Sequence, residues 1–338
     1  MSRIYIYPKE DYSTLESPNP YVEKTEKILE TRHRIVNKKP NNWVLNMVYY
    51  LFKTDIYFFN WIENLSMKRF GKIQSILFFV FIHIAKSLGK RLVWVMHNLY
   101  SHESYNRKWT KALFTLMVRK SDLIITHSGE GVSFMKRQFP SEAHKIRYFI
   151  HPIDHLMIKE CGTQQKDITF LIWGTVHPYK GVIEFLNFVK NSTLAPEINV
   201  TISGICPDPE LKATLLDYVS DRVNYIDKFA TMEEISILAG KSDYILFTYN
   251  SASVLSSGSL MDSIRMGSTI IGPDKGAFHD LKDQPFIHTY TEYSDITRIY
   301  YQNKDKKAAK PEAFTKFQTE NSWNKYGQKL LNAIVNIT

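Results

Sequence analysis

The chain has 338 residues, of which 44% are hydrophobic and 23% are charged, a composition typical of soluble globular proteins. Two domains are expected at this length. Its two cysteines, Cys161 and Cys206, are too few for a disulfide framework or a thiolate metal site, and they suit a reducing cytosol. The net charge of +9 favours an anionic partner: nucleic acid, anionic lipid or a phosphorylated substrate.

In the first half of the chain, apolar runs alternate with helical patterns. The N-terminus, MSRIYIYPKED, becomes polar almost at once, so no signal peptide is expected and the predicted location is cytoplasmic. Helices are predicted at residues 21–30 and 108–120, among others. The predicted strands are RIYIY, RHRIV, DIYFFN, RLVWVMH, DLIITH and KIRYFI.

The most apolar segment is IQSILFFVFIHIA, residues 73–85. It is shorter than the roughly 20 residues that span a bilayer. The sequence favours a buried helix that leads into the strand RLVWVMH. Because lysines and arginines flank both ends, a helix that also rests on the anionic inner face of a membrane is the alternative.

The second half repeats this plan, with helices predicted at residues 182–190, 232–240 and 257–266. Alternation of strands and helices indicates parallel sheets in doubly wound domains. The polar stretch 151–167 predicts a boundary between a first domain, 1–158, and a second, 159–318, with a C-terminal helix within 319–338 that packs back on the first. Two such domains imply a ligand cleft at the carboxyl ends of their strands. The predicted strands here are ITFLIW, INVTIS, VNYI, YILFTY and STIIG.

The stretch WGTVHPYKG joins a predicted strand to a predicted helix. Gly174 and Gly181 bracket a short loop that Pro178 stiffens. Lys180 ends this loop, where its ammonium and nearby main-chain N–H groups would bind one phosphate together. The alternative is an ordinary connecting loop with a solvated lysine.

A second stretch, SSGSLMDSIRMGSTIIGPDKG, follows the strand that ends near Tyr249. Ser257, Gly258 and Ser259 open a helix whose N-terminus suits a diphosphate. Asp262, one turn further on, would repel phosphate but accept hydrogen bonds from sugar hydroxyls. The alternative is a serine N-cap followed by a surface acidic residue.

Together these two stretches resemble the donor half of GT-B glycosyltransferases, in the glycogen-synthase-like group that includes exopolysaccharide and capsule enzymes. Gly174, Lys180 and Gly181 match the group's G-R-x-x-x-x-K-G loop, Gly267 matches a closing glycine, and Asp262 stands at the second acidic position. In the first half, VWVMHNLYSHES and DIYFFNWIENL resemble acceptor-domain patterns. The resemblance implies an α/β GT-B fold, in which two doubly wound Rossmann-like domains face a cleft.

The resemblance also implies a function and a set of site residues. The function is hexosyl transfer from a UDP- or GDP-sugar to a saccharide or lipid-linked acceptor in surface polysaccharide synthesis, without a further cofactor. His97 is expected to contact the donor sugar or phosphate, although a structural role is the alternative, and Trp61 is equally a candidate for the core. The implied residues are His97, Lys180 and Glu103 for catalysis; Gly174, Thr175, Lys180, Tyr249, Ser257, Gly258, Ser259 and Asp262 for the donor; and Trp61, Glu63 and His102 for the acceptor.

Two positions depart from the group's pattern. Thr175 replaces the loop arginine, and Val254 stands where the first glutamate is expected. These losses leave two alternatives open: a non-catalytic subunit that binds sugar nucleotides, and a GT-B epimerase that acts on the nucleotide sugar itself. No metal site is expected, because the histidines lack zinc-like spacing. No nucleic-acid-binding motif accompanies the positive charge.

Overall fold

The computed structural model describes residues 1–9, 20–99, 107–157, 167–192, 198–250, 255, 257–303 and 309–337. Its contacts divide the chain into two units. Unit 1 comprises Met1–His151, Ser253–Ser256 and Trp323–Thr338, and unit 2 comprises Pro152–Ala252 and Ser257–Ser322. Each unit is built on one parallel sheet of six strands.

The sheet of unit 1 has the strand order β2-β1-β3-β4-β5-β6, and every pairing is parallel. Its strands are β1 (Arg3–Tyr7), β2 (Arg34–Ile35), β3 (Ile56–Asn60), β4 (Arg91–Met96), β5 (Leu123–Thr126) and β6 (Ile146–Tyr148). Its helices are α1 (Pro20–Glu30), α2 (Val44–Tyr49), α3 (Gly71–Ser87), α4 (Arg107–Lys120), α5 (Gly129–Gln138) and the last helix of the chain, α13 (Trp323–Val335).

Helices cover both faces of this sheet, which explains why its central strands are apolar at nearly every position. Successive side chains of a strand point to opposite faces. Tyr57 and Trp94 therefore join the core on one side, while Phe58 and Val93 join the core on the other. Helix α13 packs against α1 and adds Leu330 to the second core.

The sheet of unit 2 has the order β12-β11-β10-β7-β8-β9, again with parallel pairings. Its strands are β7 (Ile168–Trp173), β8 (Val200–Ser203), β9 (Val223–Ile226), β10 (Ser242–Leu246), β11 (Ile270–Pro273) and β12 (Ile287–Tyr290). Its helices are α6 (Val182–Asn191), α7 (Pro209–Leu216), α8 (Met232–Gly240), α9 (Gly258–Arg265), α10 (Gly276–Asp280), α11 (Tyr293–Asn303) and α12 (Pro311–Asn321).

The predicted α/β class with two doubly wound sheets is confirmed. Each strand predicted from the sequence is present, although β10 begins two residues before its predicted run and β11 ends one residue after it. The sequence did not predict β12, a four-residue edge strand whose two middle residues are only half-buried, so its apolar pattern is weak.

Helix α3 was predicted as a buried helix, and the structure shows that only one side of it is buried. Phe78, Phe81 and Ile82 lie in the core, whereas Ile73 and Val80 are more than half exposed. Among the described residues, no helix is both long enough and apolar enough to cross a bilayer.

Candidate functional site

In unit 2 the chain leaves β7 for β8 on one side of the sheet and later returns to β10 on the other side. The carboxyl ends of β7 and β10 therefore flank the point where the strand order reverses. Open parallel sheets bind their ligands at this point. Lys180 follows β7 and Tyr249 follows β10. Two residues selected from the sequence therefore follow the strands at which a ligand is expected.

Lys180 ends a short 3₁₀ turn, Pro178–Lys180, and is only 7% exposed. Its Nζ donates to the main-chain oxygen of Trp173 at 3.4 Å. Among the described residues, no carboxylate pairs with this ammonium, and burial lowers the pKa of Lys180 to about 8. A buried cation without an anion is unfavourable, because the interior solvates charge poorly. The arrangement favours an anionic ligand.

Close backbone packing fixes the turn that carries Lys180. Thr248, just after β10, donates from Oγ1 to the main-chain oxygen of Lys180 at 2.5 Å. Gly181 has a φ of +66°, and a Cβ there would lie 2.3 Å from the oxygen of Thr248. Gly174 also has a positive φ, and a Cβ there would lie 3.2 Å from the Lys180 Nζ. Gly174 keeps the space beside the ammonium open, whereas Gly181 permits the close approach of Thr248. Half-buried Thr175 lies next to Gly174.

The start of helix α9 is linked to this turn through Tyr249, whose ring lies 5.9 Å from that of Tyr179 and whose hydroxyl contacts Ser257. Ser257 is its N-cap and accepts from the main-chain N–H of Leu260 at 3.3 Å. The hydroxyl hydrogen of a serine that accepts in this way can still be donated to an anion. Apart from its chain neighbours and its own helix, no atom of the described residues lies within 4 Å of a Cβ built on Gly258, so the helix start at Gly258 and Ser259 leaves room for a ligand. N-terminal amides of a helix favour phosphate.

Asp262 is engaged in an ion pair that the sequence did not predict. Its Oδ1 accepts from Arg265 Nη1 at 3.3 Å. Arg265 also donates from Nε to the main-chain oxygen of His155 at 3.2 Å. Asp262 remains one-third exposed at its side chain, so its carboxylate can accept further hydrogen bonds while it is paired.

Tyr249 lies under the start of α9, with its hydroxyl 3.3 Å from the Oγ of Ser257. Burial raises its pKa well above the usual value, so the phenol stays protonated. A cavity of about 370 Å³ opens beside it at the carboxyl ends of β10, β11 and β12. Thr248, which bonds the main-chain oxygen of Lys180, also lines this cavity, so the cavity adjoins the turn that carries Lys180. Its other lining residues include Asn250, Asp274, Tyr290 and Tyr293.

In unit 1, His97 follows β4 and is buried against Trp61, which follows β3. Their rings stack with centroids 4.3 Å apart. Trp61 has a left-handed backbone, with a φ of 48°, and is half-buried against the core. His97 Nε2 donates to Asn60 Oδ1 at 3.1 Å. Burial, with repulsion from His127 and His151, holds the pKa of His97 well below its usual value. The ring is neutral at pH 7, and its Nδ1 is then a hydrogen-bond acceptor.

Behind His97 lies a network that includes no residue selected as a site from the sequence. His127 Nδ1 lies 2.8 Å from the main-chain oxygen of Phe149, which can only accept, so this nitrogen carries the proton. His127 Nε2 therefore accepts from the hydroxyl of Tyr21 at 2.8 Å, and the hydroxyl of Tyr326 donates to Tyr21 at 2.6 Å. Burial lowers the pKa of His127 to about 3, so this tautomer is neutral. The network ties α13 and α1 to the strand ends of unit 1.

Glu63 is fully buried in the 3₁₀ turn Ile62–Met67, which follows Trp61. Neither of its carboxyl oxygens has a hydrogen-bond partner among the described residues. Burial raises the pKa of Glu63 to about 7. The amide nitrogen of Asn60, three positions before Glu63, also lacks a described partner. The Asn60 amide is thus an unpaired donor close in sequence to the unpaired carboxyl oxygens of Glu63.

Four residues of the sequence analysis lie outside the described residues: His102, Glu103, Cys161 and Val254. Within the described residues, no group of three or more His, Cys, Asp or Glu side chains has the arrangement of a metal site.

Comparison with solved structures identifies the fold. The chain superposes on Anabaena HepE in complex with UDP-glucose with a TM-score of 0.66, at 13% identity, over 99% of this chain and 100% of that one. It superposes on the lipopolysaccharide outer core galactosyltransferase WaaB with a TM-score of 0.68, at 14% identity, over the whole of both chains. The chain has the GT-B fold.

A glycosyltransferase from Rickettsia africae gives the same result for GT-B, with a TM-score of 0.60 at 11% identity over 99% of this chain and 98% of that one. No protein family and no curated protein matches the sequence at a significant level. The structural likeness thus confirms the predicted resemblance to GT-B glycosyltransferases at the level of the fold.

Several residues at these GT-B strand ends could not be selected from the sequence. Thr248 contacts Lys180 from 68 positions away, a spacing that follows no motif. Arg265 stands three residues after Asp262 on one helix, and this ion-pair spacing was the signal that could have selected it. Tyr21 and Tyr326 are 305 positions apart. The only signal that could have found Tyr21 and His127 was their position in the predicted elements. Tyr21 begins a predicted helix, and His127 ends a predicted strand, as His97 does.

Proposed function

We propose that the chain is a glycosyltransferase of the hexosyltransferase type, which moves a sugar from a nucleotide-activated donor to a hydroxyl of an acceptor. The observation that carries the proposal is the buried ammonium of Lys180, which has no acidic partner among the described residues. It lies where the strand order of the unit 2 sheet reverses, the usual ligand position in such sheets. A nucleoside diphosphate supplies the missing negative charge.

The neighbourhood of Lys180 supports a diphosphate rather than a single carboxylate. The N-terminus of α9 offers main-chain N–H groups and the Ser257 hydroxyl for a second anionic group. The cavity beside Tyr249 and Thr248 offers aromatic and polar contacts for the rest of a nucleotide. Asp262 would accept hydrogen bonds from ribose hydroxyls. Among the solved structures of similar fold, HepE is in complex with UDP-glucose.

In the proposed reaction, the bond between the anomeric carbon and the diphosphate oxygen breaks, and its electron pair stays on that oxygen. Lys180 and the α9 N-terminus stabilise the negative charge that grows there. Such preorganised donors help the transition state more than the ground state. The acceptor hydroxyl oxygen bonds to the anomeric carbon and releases its proton. Thr175 in place of the loop arginine leaves Lys180 as the main side-chain cation in this step.

Unit 1 would supply the contacts to the sugar and the acceptor. Neutral His97, with Nε2 committed to Asn60, presents Nδ1 as an acceptor, which suits a sugar hydroxyl better than a phosphate oxygen. The ring of Trp61 would stack on a sugar. Glu63 is proposed for the acceptor on the sequence resemblance alone, because its carboxyl group is fully buried. His102 and Glu103 are proposed for the acceptor and for catalysis on the sequence resemblance alone. We assign acceptor binding to the first predicted domain, residues 1–158, and donor binding to the second, residues 159–318.

The proposed setting is surface polysaccharide synthesis in the cytoplasm, at the inner face of the membrane. The donor would be a UDP- or GDP-sugar, and the acceptor a saccharide or a lipid-linked saccharide. WaaB, of similar fold, is described as a lipopolysaccharide outer core galactosyltransferase. The exposed apolar side of α3 supports contact with a membrane.

A panel of UDP- and GDP-sugars tests the proposal. The purified chain is first screened for a rise in melting temperature, since a ligand that binds only the native state stabilises it. Donors that bind are then incubated with the chain, with and without saccharide acceptors. Release of nucleoside diphosphate that Lys180→Ala abolishes supports the transferase. Binding without release indicates a non-catalytic subunit, and conversion of the donor sugar without release indicates an epimerase.

A further inference from the structure

A groove of about 630 Å³ runs between α3 and α4 of unit 1. Phe79 and Leu116 give it an apolar floor, and basic side chains line the rest. No acidic residue is among the described side chains that line it. The groove is lined by Phe79, His83, Lys108, Lys111, Ala112, Thr115, Leu116, Arg119 and Lys120.

Four cations of α4 line this groove: Lys108, Lys111, Arg119 and Lys120. In the described part of the chain, none of them forms an ion pair, whereas Lys86 and Arg91 nearby both pair with Asp122. Four positive charges held along one helix repel each other, and no carboxylate among the described residues pairs with them. They therefore favour an anionic ligand over an empty groove.

The groove adjoins an exposed apolar surface on α3. Ile73, Ile76, Leu77, Val80 and Ile84 follow the three- and four-residue spacing of one helix face, and all five are between 37% and 58% exposed. The opposite face of α3 is in the core. Leaving five large aliphatic side chains in water on one helix costs free energy, because each loses the benefit of burial. We call this row the α3 stripe.

A second exposed row continues this surface. Leu45, Val48 and Tyr49 on α2, with Phe52 in the following turn, repeat the same spacing and are between 47% and 77% exposed. We call it the α2 stripe. The rings of Trp43 and Phe70, one at the start of each helix, lie 6.2 Å apart and join the two stripes.

Cations also border the stripes. The guanidinium of Arg69 lies 5.2 Å from the ring of Phe70, and the ammonium of Lys53 lies 4.4 Å from the ring of Tyr49. Aromatic and aliphatic side chains bordered by lysine and arginine are the composition of a surface that lies in a membrane interface.

We propose that the α3–α4 groove binds the phosphate of an anionic phospholipid while the α2 and α3 stripes enter the same leaflet. A second copy of this chain fits less well, because a symmetric contact would bring like-charged grooves and rims together. A soluble anion would fill the groove but leave both stripes in water. The inference rests on the proposed location at the membrane and is independent of the proposed donor chemistry.

Sedimentation with phosphatidylcholine vesicles, with and without phosphatidylglycerol, tests this site on the full chain. The groove variant replaces Lys108, Lys111, Arg119 and Lys120 by Gln. The matched control replaces four exposed lysines of unit 2, Lys190, Lys282, Lys310 and Lys316, by Gln, so that both variants lose the same charge. We expect about fivefold weaker binding to anionic vesicles for each groove cation removed, and less than a twofold change in the control.

The α3 stripe is tested by a second variant and a matched control. Ile76→Ser with Val80→Ser should abolish the part of vesicle binding that survives high salt. Leu216→Ser with Ile237→Ser, which are similarly exposed in unit 2, should leave it unchanged. The proposal is overturned if the groove variant binds like its control, if wild type binds neutral and anionic vesicles equally, or if the stripe variant dissociates a dimer in light scattering.

A UDP-induced rise in melting temperature, measured on the same preparations, separates this inference from the proposed reaction. The groove variant should keep the rise that wild type shows. If wild type binds anionic vesicles through the groove but UDP and GDP give no rise, the proposed donor chemistry fails and the lipid site stands.

Discussion

Lys180 Nζ lies 3.4 Å from the main-chain oxygen of Trp173, across the loop that leads from β7 towards α6. A carbonyl oxygen is a neutral acceptor, so this contact orients the ammonium without neutralising it. Gly174 leaves the nitrogen accessible where any Cβ would lie only 3.2 Å away. The loop thus presents an oriented and uncompensated charge, which is what a diphosphate-binding loop requires.

Diphosphate binding should depend on pH through Lys180. Because burial lowers the pKa of Lys180 to about 8, the free protein loses this charge above pH 8. A bound diphosphate favours the charged form and raises the pKa. We expect affinity for UDP or GDP to fall by about tenfold per pH unit above pH 8, with proton uptake on binding. Calorimetry in two buffers of different ionisation enthalpy measures both.

The control for this pH effect is Lys180→Ala. Its affinity should be weaker and independent of pH between about pH 7 and about pH 9, a range of roughly one unit on either side of the Lys180 pKa. If wild type binds without proton uptake at pH 8.5, Lys180 does not hold the diphosphate.

Gly181 should be required for the fold of unit 2. Gly181→Ala places a Cβ 2.3 Å from the oxygen of Thr248 in a backbone with positive φ. We expect the free energy of unfolding to fall by about 1–3 kcal/mol in urea denaturation. Gly258→Ala is the matched control, since a Cβ there meets no atom of the described residues within 4 Å outside its own helix, and its stability should change little. Equal losses in the two variants would contradict the close packing inferred here.

His97→Ala separates a functional histidine from a structural one. If Nδ1 contacts the donor sugar, turnover should fall on the order of 10²-fold while the melting temperature changes modestly. His33→Ala is the control, because His33 is a similarly buried histidine of unit 1, at 7% exposure against 6% for His97. It should lower the melting temperature without reducing turnover. A loss of stability alone in His97→Ala would make His97 a core residue.

Asp262 gives a prediction that depends on its pairing with Arg265. If its carboxylate accepts from ribose hydroxyls, Asp262→Ala should weaken nucleoside diphosphate binding by about 1.5–3 kcal/mol, the range for hydrogen bonds to charged groups. Arg265→Ala should have a smaller effect, because it removes the partner but keeps the acceptor. Equal affinity of wild type for the normal and the 2′,3′-dideoxy nucleotide would rule this role out.

The sequence predicted the features of this protein that depend on neighbouring residues. Alternating apolar runs gave the two parallel sheets, and the glycine-bracketed loop gave the position of Lys180 near a strand end. The sequence also placed His97 at the carboxyl end of β4, because that position follows directly from the end of an apolar run.

Features that depend on distant residues were not predicted. The Trp61–His97 stack joins two strand ends, and the Tyr21–Tyr326 contact joins the first helix to the last. The exposure of Ile73 and Val80 depends on what covers α3, and a helix that is apolar on both sides looks the same in sequence whether one side or both are buried. The burial of Glu63 depends in the same way on its neighbours.

The most direct test of the donor site compares diphosphates with their nucleosides in wild type and in Lys180→Ala. Titration of UDP, GDP, uridine and guanosine by calorimetry gives the four affinities for each protein. We predict that Lys180→Ala loses most of the affinity for the diphosphate that wild type binds and keeps its affinity for the corresponding nucleoside. Lys180→Arg should recover only part of the loss, because a planar guanidinium does not replace a compact ammonium. Unchanged diphosphate affinity and donor turnover in Lys180→Ala would contradict the assignment of this loop as the donor site.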